Sequence, residues 1–229
     1  MSVKNNRKLY DAASNGDEDQ LGKYLKQGAS VDVEYKDVGG WTALHGAVFG
    51  GHVRVVTTLL DYGWYLEAKT DAGSTPLSLA AWVGRFETAQ CLLIRGADMD
   101  TQTNAKLTPL HRASIEGYNH VVSLLLQCGA NPDIRNKEGK TAEEEAKSRD
   151  TRAAFSAFKN NETVLNTKDV LFEKAVGESN HYLAAVLAYN CQNTEILNKF
   201  LEIQDKDIVK DTYFLDFFDT YIAPGLCPY

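Results

Sequence analysis

The sequence predicts an all-α solenoid of stacked helix–turn–helix units joined by hairpin-like finger loops, with a further helical segment at its C-terminal end. Three observations predict it. Thr42-Ala43-Leu44-His45 returns as Thr75-Pro76-Leu77-Ser78, as Thr108-Pro109-Leu110-His111 and again as Thr141-Ala142, each time 33 residues later. Gly63, Gly96 and Gly129 keep the same 33-residue interval, and each closes an apolar run. Beyond residue 161 the apolar spacing stays helical while both markers fade. A fixed period of this length marks supersecondary units that cannot bury their apolar faces alone and therefore stack.

Within one unit the elements follow in order. Thr75-Pro76 opens the first helix, because threonine caps orphan amide groups and the fixed φ of proline suits the first turn. Leu77, Leu79, Ala80 and Ala81 follow, and the small alanines let neighbouring helices approach closely. Gly84 permits a sharp reversal before Thr88-Ala89-Gln90-Cys91-Leu92-Leu93 forms the second helix. Gly96 then stops that helix in a left-handed conformation that other residues tolerate poorly. Ala97-Asp98-Met99-Asp100 through Lys106 projects outward as a finger toward the next unit.

Residues 41–73, 74–106 and 107–139 each read as turn, Thr-Pro-Leu-like opening, short helix, Gly, second helix and Gly. In these motifs the chain resembles the ankyrin repeat family. A weaker first unit spans about 7–40, a truncated fifth spans 140–160, and the resemblance says little about 161–229. It implies that His45 and His111 are structural, tying adjacent loops by hydrogen bonds, with Ser78 replacing them in the middle unit. Several positions depart from the family pattern. The first finger carries a two-residue insertion near Val33-Glu34-Tyr35-Lys36, and Trp64-Tyr65 stands where Ala-Asp is usual. Arg112 occupies a leucine position, and Lys106 a glycine position. Each departure reads either as local repacking or as a contact point.

The resemblance also implies a binding face made of finger tips and exposed first-helix positions, lining a concave surface. Those positions are Val38, Trp41 and Phe49 in the second unit, and Asp71, Ser74, Trp82 and Val83 in the third. The fourth contributes Asn104, Leu107, Ile115 and Glu116, with Arg112 as a further candidate contact. Two tryptophans and a phenylalanine at solvent-facing positions point to an interaction site, since such anchors dominate protein–protein binding. Two bland readings compete: the tryptophans pack on neighbouring fingers, or the C-terminal segment folds back over them.

Composition narrows the function classes. At 44% hydrophobic and 24% charged residues the chain reads as a globular protein. No apolar run approaches the roughly 18–20 residues that cross a bilayer, and the polar start, Met1 to Lys8, lacks a signal-peptide core. The cysteines Cys91, Cys128, Cys191 and Cys227 show no metal or disulfide spacing, Cys91 reads as a buried thiol, and the expected compartment is the cytoplasm, with the nucleus also open. Residues 161–229 hold five Lys or Arg against eleven Asp or Glu, a balance of −6 out of the net charge of −7. The repeats, nearly neutral, offer no basic face for nucleic acid.

Residues 161–229 admit two readings: degenerate repeats that continue the solenoid, or a separate helical bundle. A last helix is expected from about Asp205 to Ile222, with Val209, Tyr213, Phe217 and Tyr221 on one stripe and Phe214, Phe218 and Ile222 beside it. Asp207, Asp211, Asp216 and Asp219 supply the acidic positions. Such a helix caps the last repeat or docks into a partner groove, with Tyr213, Phe214, Phe217, Phe218 and Tyr221 as a second docking surface.

No Gly-x-x-x-x-Gly-Lys loop, Gly-x-Ser-x-Gly elbow or His-Glu-x-x-His pair occurs, so no catalytic constellation, metal site or cofactor is expected. Glu143-Glu144-Glu145 reads as a solvated first turn. The expected function is a noncatalytic protein–protein interaction module, adaptor or inhibitor, monomeric when free. The alternatives are a structural subunit docked through its aromatic C-terminal helix, and an enzyme with an unrecognised site in 161–229.

Overall fold

A computed structural model describes residues 3–27 and 39–164. The insertion near Val33 and everything expected of residues 165–229 lie outside the described residues. The described chain is helical. α1 (Val3–Asn15) and α2 (Glu18–Lys26) form the first pair, α1 beginning four residues before the expected Arg7. α3 (Ala43–Gly50) with α4 (Val53–Asp61), α5 (Pro76–Val83) with α6 (Phe86–Ile94), and α7 (Pro109–Glu116) with α8 (Asn119–Gln127) are the three regular pairs. α9 (Arg149–Val164) follows and packs on α8.

From α3 to α8 the helices have eight or nine residues, too short to persist alone in water. Stacking supplies what propensity does not. First helices pack in a row, α1 on α3, α3 on α5 and α5 on α7, while α2, α4, α6 and α8 make a second row behind them. The core repeats with the sequence: Ala47, Ala80, Ala113 and Ala146 are buried one unit apart, as are Val56, Ala89, Val122 and Phe155. Alanine in the first-helix row keeps the backbones close, and the second row fills the space behind with leucine. Leu59, Leu92 and Leu125 are fully buried there.

The caps form as the sequence predicts. Thr42, Thr75 and Thr108 sit in extended backbone, and each side chain accepts the N–H three residues on. Pro76 and Pro109 take the first helical position. Gly96 stops its second helix at φ 82°, and Gly63 and Gly129 do the same at 85° and 98°. The fifth unit opens with a single turn at 142–145 in place of a first helix. There the Thr141 N–H donates to Glu144 Oε2 across 2.8 Å while the Glu144 N–H donates back to Thr141 Oγ1. Ser148 then caps α9, accepting the Thr151 N–H at 3.0 Å.

Two expectations are corrected. Cys91 is half-buried rather than buried, its Sγ 3.6 Å from Thr57 Oγ1. Glu143, Glu144 and Glu145 are not merely solvated, because they pair with Lys159, Arg135 and Lys140 respectively. Trp64 resolves as repacking: it is buried in the register of Ala97 and Ala130, while Tyr65 beside it is exposed.

Candidate functional site

The fingers are built by a repeated bond set. The Thr70 N–H donates to the Ser74 carbonyl, Thr103 to Leu107, and Asn136 to Lys140, at 3.0, 3.0 and 2.9 Å. Returning bonds run from Ser74 N–H to Thr70 Oγ1 and from Leu107 N–H to Thr103 Oγ1, both 3.1 Å. Neighbouring fingers are then joined edge to edge, Asp71 N–H to the Gly39 carbonyl at 2.9 Å and Asn104 N–H to the Ala72 carbonyl at 3.0 Å. Asn104 adds a second bond, donating from Nδ2 to the Asp71 carbonyl at 2.8 Å.

Histidines lock the fingers to the first helices. The Thr42 N–H approaches His45 Nδ1 at 3.1 Å, so that nitrogen accepts and the proton resides on Nε2, which donates to the Ser74 carbonyl at 3.2 Å. His111 repeats the arrangement with Thr108 and the Lys140 carbonyl, at 3.3 and 3.1 Å. Burial holds the His45 pKa down to about 4, against the opposing pull of its carbonyl partners. His111 is lowered for the same reason. The histidines are bonded on both ring nitrogens and serve structure.

On the surface formed by these elements the aromatics meet. Trp41 lies edge-on to Phe49, ring centres 5.4 Å apart at 62°, and 6.3 Å from the His45 ring. Phe49 reaches across to Trp82 of the next unit at 6.4 Å. Arg112, one unit further, places its guanidinium carbon 5.7 Å from the Trp82 ring centre. The four side chains make one continuous ladder across three units. Phe49 and Trp82 remain 42% and 39% exposed, although each sits at the last turn of a helix whose other residues are mostly buried. Trp41 is half-buried and packs against the core. The Arg85 guanidinium donates from Nε to the Phe49 carbonyl at 3.1 Å and so pins the end of α3 beneath the ladder.

Arg112 is the electrostatic feature of this surface. Its Nε is closed off from solvent without a hydrogen-bond partner. Burial lowers its pKa from the usual guanidinium value, and the nearby Glu116 opposes that shift.

The other expected site residues divide. Asp71, Asn104 and Glu116 are exposed, and Val83, Leu107 and Ile115 are half-buried. Ser74 is a correction: only 8% exposed, it serves the finger through both backbone groups and offers no surface contact. Val38 and the second docking surface (Tyr213, Phe214, Phe217, Phe218, Tyr221) lie outside the described residues. Sequence reasoning missed the part of Arg85. The available signal was its place directly after Gly84, matching His52 and Tyr118 after Gly51 and Gly117.

The family model for ankyrin repeats (three copies) matches residues 9–103 and 84–169. The chain belongs to the ankyrin repeat family. Its ankyrin units indicate a protein–protein interaction module, a fold that is typically non-catalytic. No match was found among curated proteins. Among the described residues no helix is long and apolar enough to cross a membrane. Nor does any cluster of His, Cys, Asp and Glu there have a metal-binding arrangement. Buried Cys128 has its thiol pushed up to about 12 by burial, which leaves it unreactive.

Proposed function

We propose that this ankyrin array binds a protein segment across its first-helix face, as a cytoplasmic or nuclear adaptor or inhibitor without catalysis, and that it is monomeric when free. The observation that carries the reading is the ladder Trp41–Phe49–Trp82–Arg112, which keeps two large aromatics exposed at adjoining repeats. Scattered apolar exposure is ordinary, but contiguous aromatic exposure that ends in Arg112 and the nearby Glu116 resembles an interface core with a polar rim. Phe49 and Trp82 are partly held in place by each other, so a partner loses little in ordering them. Residues 1–160 serve in this reading as the recognition array, with 161–229 as an acidic helical segment, either degenerate repeats that cap the array or a small helical bundle.

The test compares the full chain with a Trp41→Ala/Trp82→Ala variant in affinity capture from cell extract, read by mass spectrometry, followed by affinity measurement on the purified partner. Loss of roughly 2 kcal/mol or more of binding is the expected result, with little change in melting temperature for Trp82→Ala alone, since Trp41 also packs against the core. A large fall in melting temperature with binding intact would move the tryptophans to the core. A partner indifferent to them but dependent on Tyr213, Phe217 and Tyr221 would make the repeats a scaffold and the C-terminal segment the recognition element.

A further inference from the structure

Arg112 stands in the register of Leu79 and Gly46, one and two units earlier, so packing of the array does not call for a charge there. Leu79 is buried, whereas the Arg112 guanidinium leans back one unit onto the exposed Trp82 ring. Its Nε is shut away from water without a partner. Among the described residues no ion pair and no side-chain hydrogen bond engages its remaining nitrogens. Glu116, one helical turn on, acts on it through the field and makes no ion pair with it. A guanidinium drawn partly out of water and left unpaired is costly, and the cost falls when a carboxylate arrives. With its central carbon 5.7 Å from the Trp82 ring centre, the planar guanidinium has its two terminal nitrogens left to receive a carboxylate on two parallel bonds.

We infer that the partner segment is an acidic peptide, with an aromatic or large aliphatic side chain seated on Phe49 and Trp82 and a carboxylate beside it paired to Arg112. The inference rests on the reading of this face as the docking surface, and it adds the chemistry of the occupant. The net charge of −7 repels an acidic partner at long range, but salt screens that repulsion beyond about 8 Å in physiological conditions. Local complementarity at Arg112 then decides specificity, because a segment without a carboxylate leaves the half-buried cation without an ion-pair partner among the described residues. Glu116 works against the same carboxylate, so the two charges have opposite expected effects.

A display library of random peptides, selected on the full chain, tests this. Enriched peptides should carry Asp or Glu at a constant spacing from an aromatic or large aliphatic residue. A synthetic peptide of the enriched sequence should bind Arg112→Gln about tenfold or more weakly and Glu116→Gln several-fold more tightly, with melting temperatures unchanged. Added salt should weaken binding to the parent and leave Arg112→Gln nearly unaffected. Enrichment without acidic preference, or an acidic preference that Arg112→Gln retains, overturns the inference while the docking face stands. Failure to enrich any sequence even when Asp207, Asp211, Asp216 and Asp219 are all Asn, or enrichment indifferent to Trp82→Ala, counts against the docking face itself and removes the inference with it. Binding that appears only after Asp207, Asp211, Asp216 and Asp219 are all replaced by Asn assigns the surface to the chain's own acidic segment and overturns the external partner.

Discussion

The Nε2 of His45 lies 3.2 Å from the carbonyl oxygen of Ser74, so a first helix is bonded directly to the base of the next finger. That bond needs a neutral ring, since Nδ1 is already accepting the Thr42 N–H. Burial lowers the folded-state pKa of His45 from 6.5 to about 4, so between those values the unfolded chain binds more protons than the folded one. The contribution is therefore full above pH 6.5 and is lost as pH falls toward 4, a loss on the order of 3 kcal/mol for this residue. Melting temperatures across that range should fall more steeply for the parent than for His45→Gln. Superimposable profiles would show that the ring proton is not coupled to folding.

Ser78 breaks the histidine pattern, and its buried hydroxyl has no hydrogen-bond partner. In the units on either side the histidine reaches a carbonyl 29 residues on, a spacing that points to Leu107 from position 78. Ser78→His should restore the lock and raise stability by about 1 kcal/mol, read as a shift of the denaturant midpoint. A fall instead would show the middle unit too closely packed to admit an imidazole.

Lys106 holds φ at 57°, alone among the non-glycine described residues in having a positive value. Its counterparts Gly40, Gly73 and Gly139 hold 74°, 75° and 75°. A side chain in left-handed backbone costs about 1–2 kcal/mol, which a glycine avoids at some loss of unfolded-chain restriction. Lys106→Gly should stabilise by roughly 1 kcal/mol, measurable by urea titration. No gain would mean that the finger has relaxed around the lysine.

Leu124 is 6% exposed in α8 and belongs to the contiguous core. Leu124→Ala should destabilise by about 2–5 kcal/mol through lost burial and the cavity left behind. A cost under about 0.5 kcal/mol, the range of an unremarkable surface change, would place Leu124 outside the core and undo the helix register assigned here.

Much of the fold was legible because its determinants are local and repeated. Thr42, Thr75 and Thr108 read as caps and Gly96 as a stop, since each acts on backbone only a few residues away, and the family resemblance implied that His45 is structural. Arg112 and Lys106 were legible as departures from pattern, but not in consequence. Ser74 was assigned to the surface by register alone, and the bonds that hold it inward come from Thr70 of its own finger and from His45 of an adjoining helix.

The sequence by itself determined the repeat length, the capping chemistry, the identity of the second-helix core and the acidic balance of residues 161–229. Those properties follow from short-range sterics and hydrogen bonding, which composition and spacing encode directly. Only the tertiary structure decided that Trp64 turns inward, that Phe49 and Trp82 meet across two units, and that Arg112 lies over a ring 30 positions earlier. Such choices depend on how neighbouring repeats divide a shared volume. Stacking sets that division, because each side chain takes the space that residues one unit away leave open.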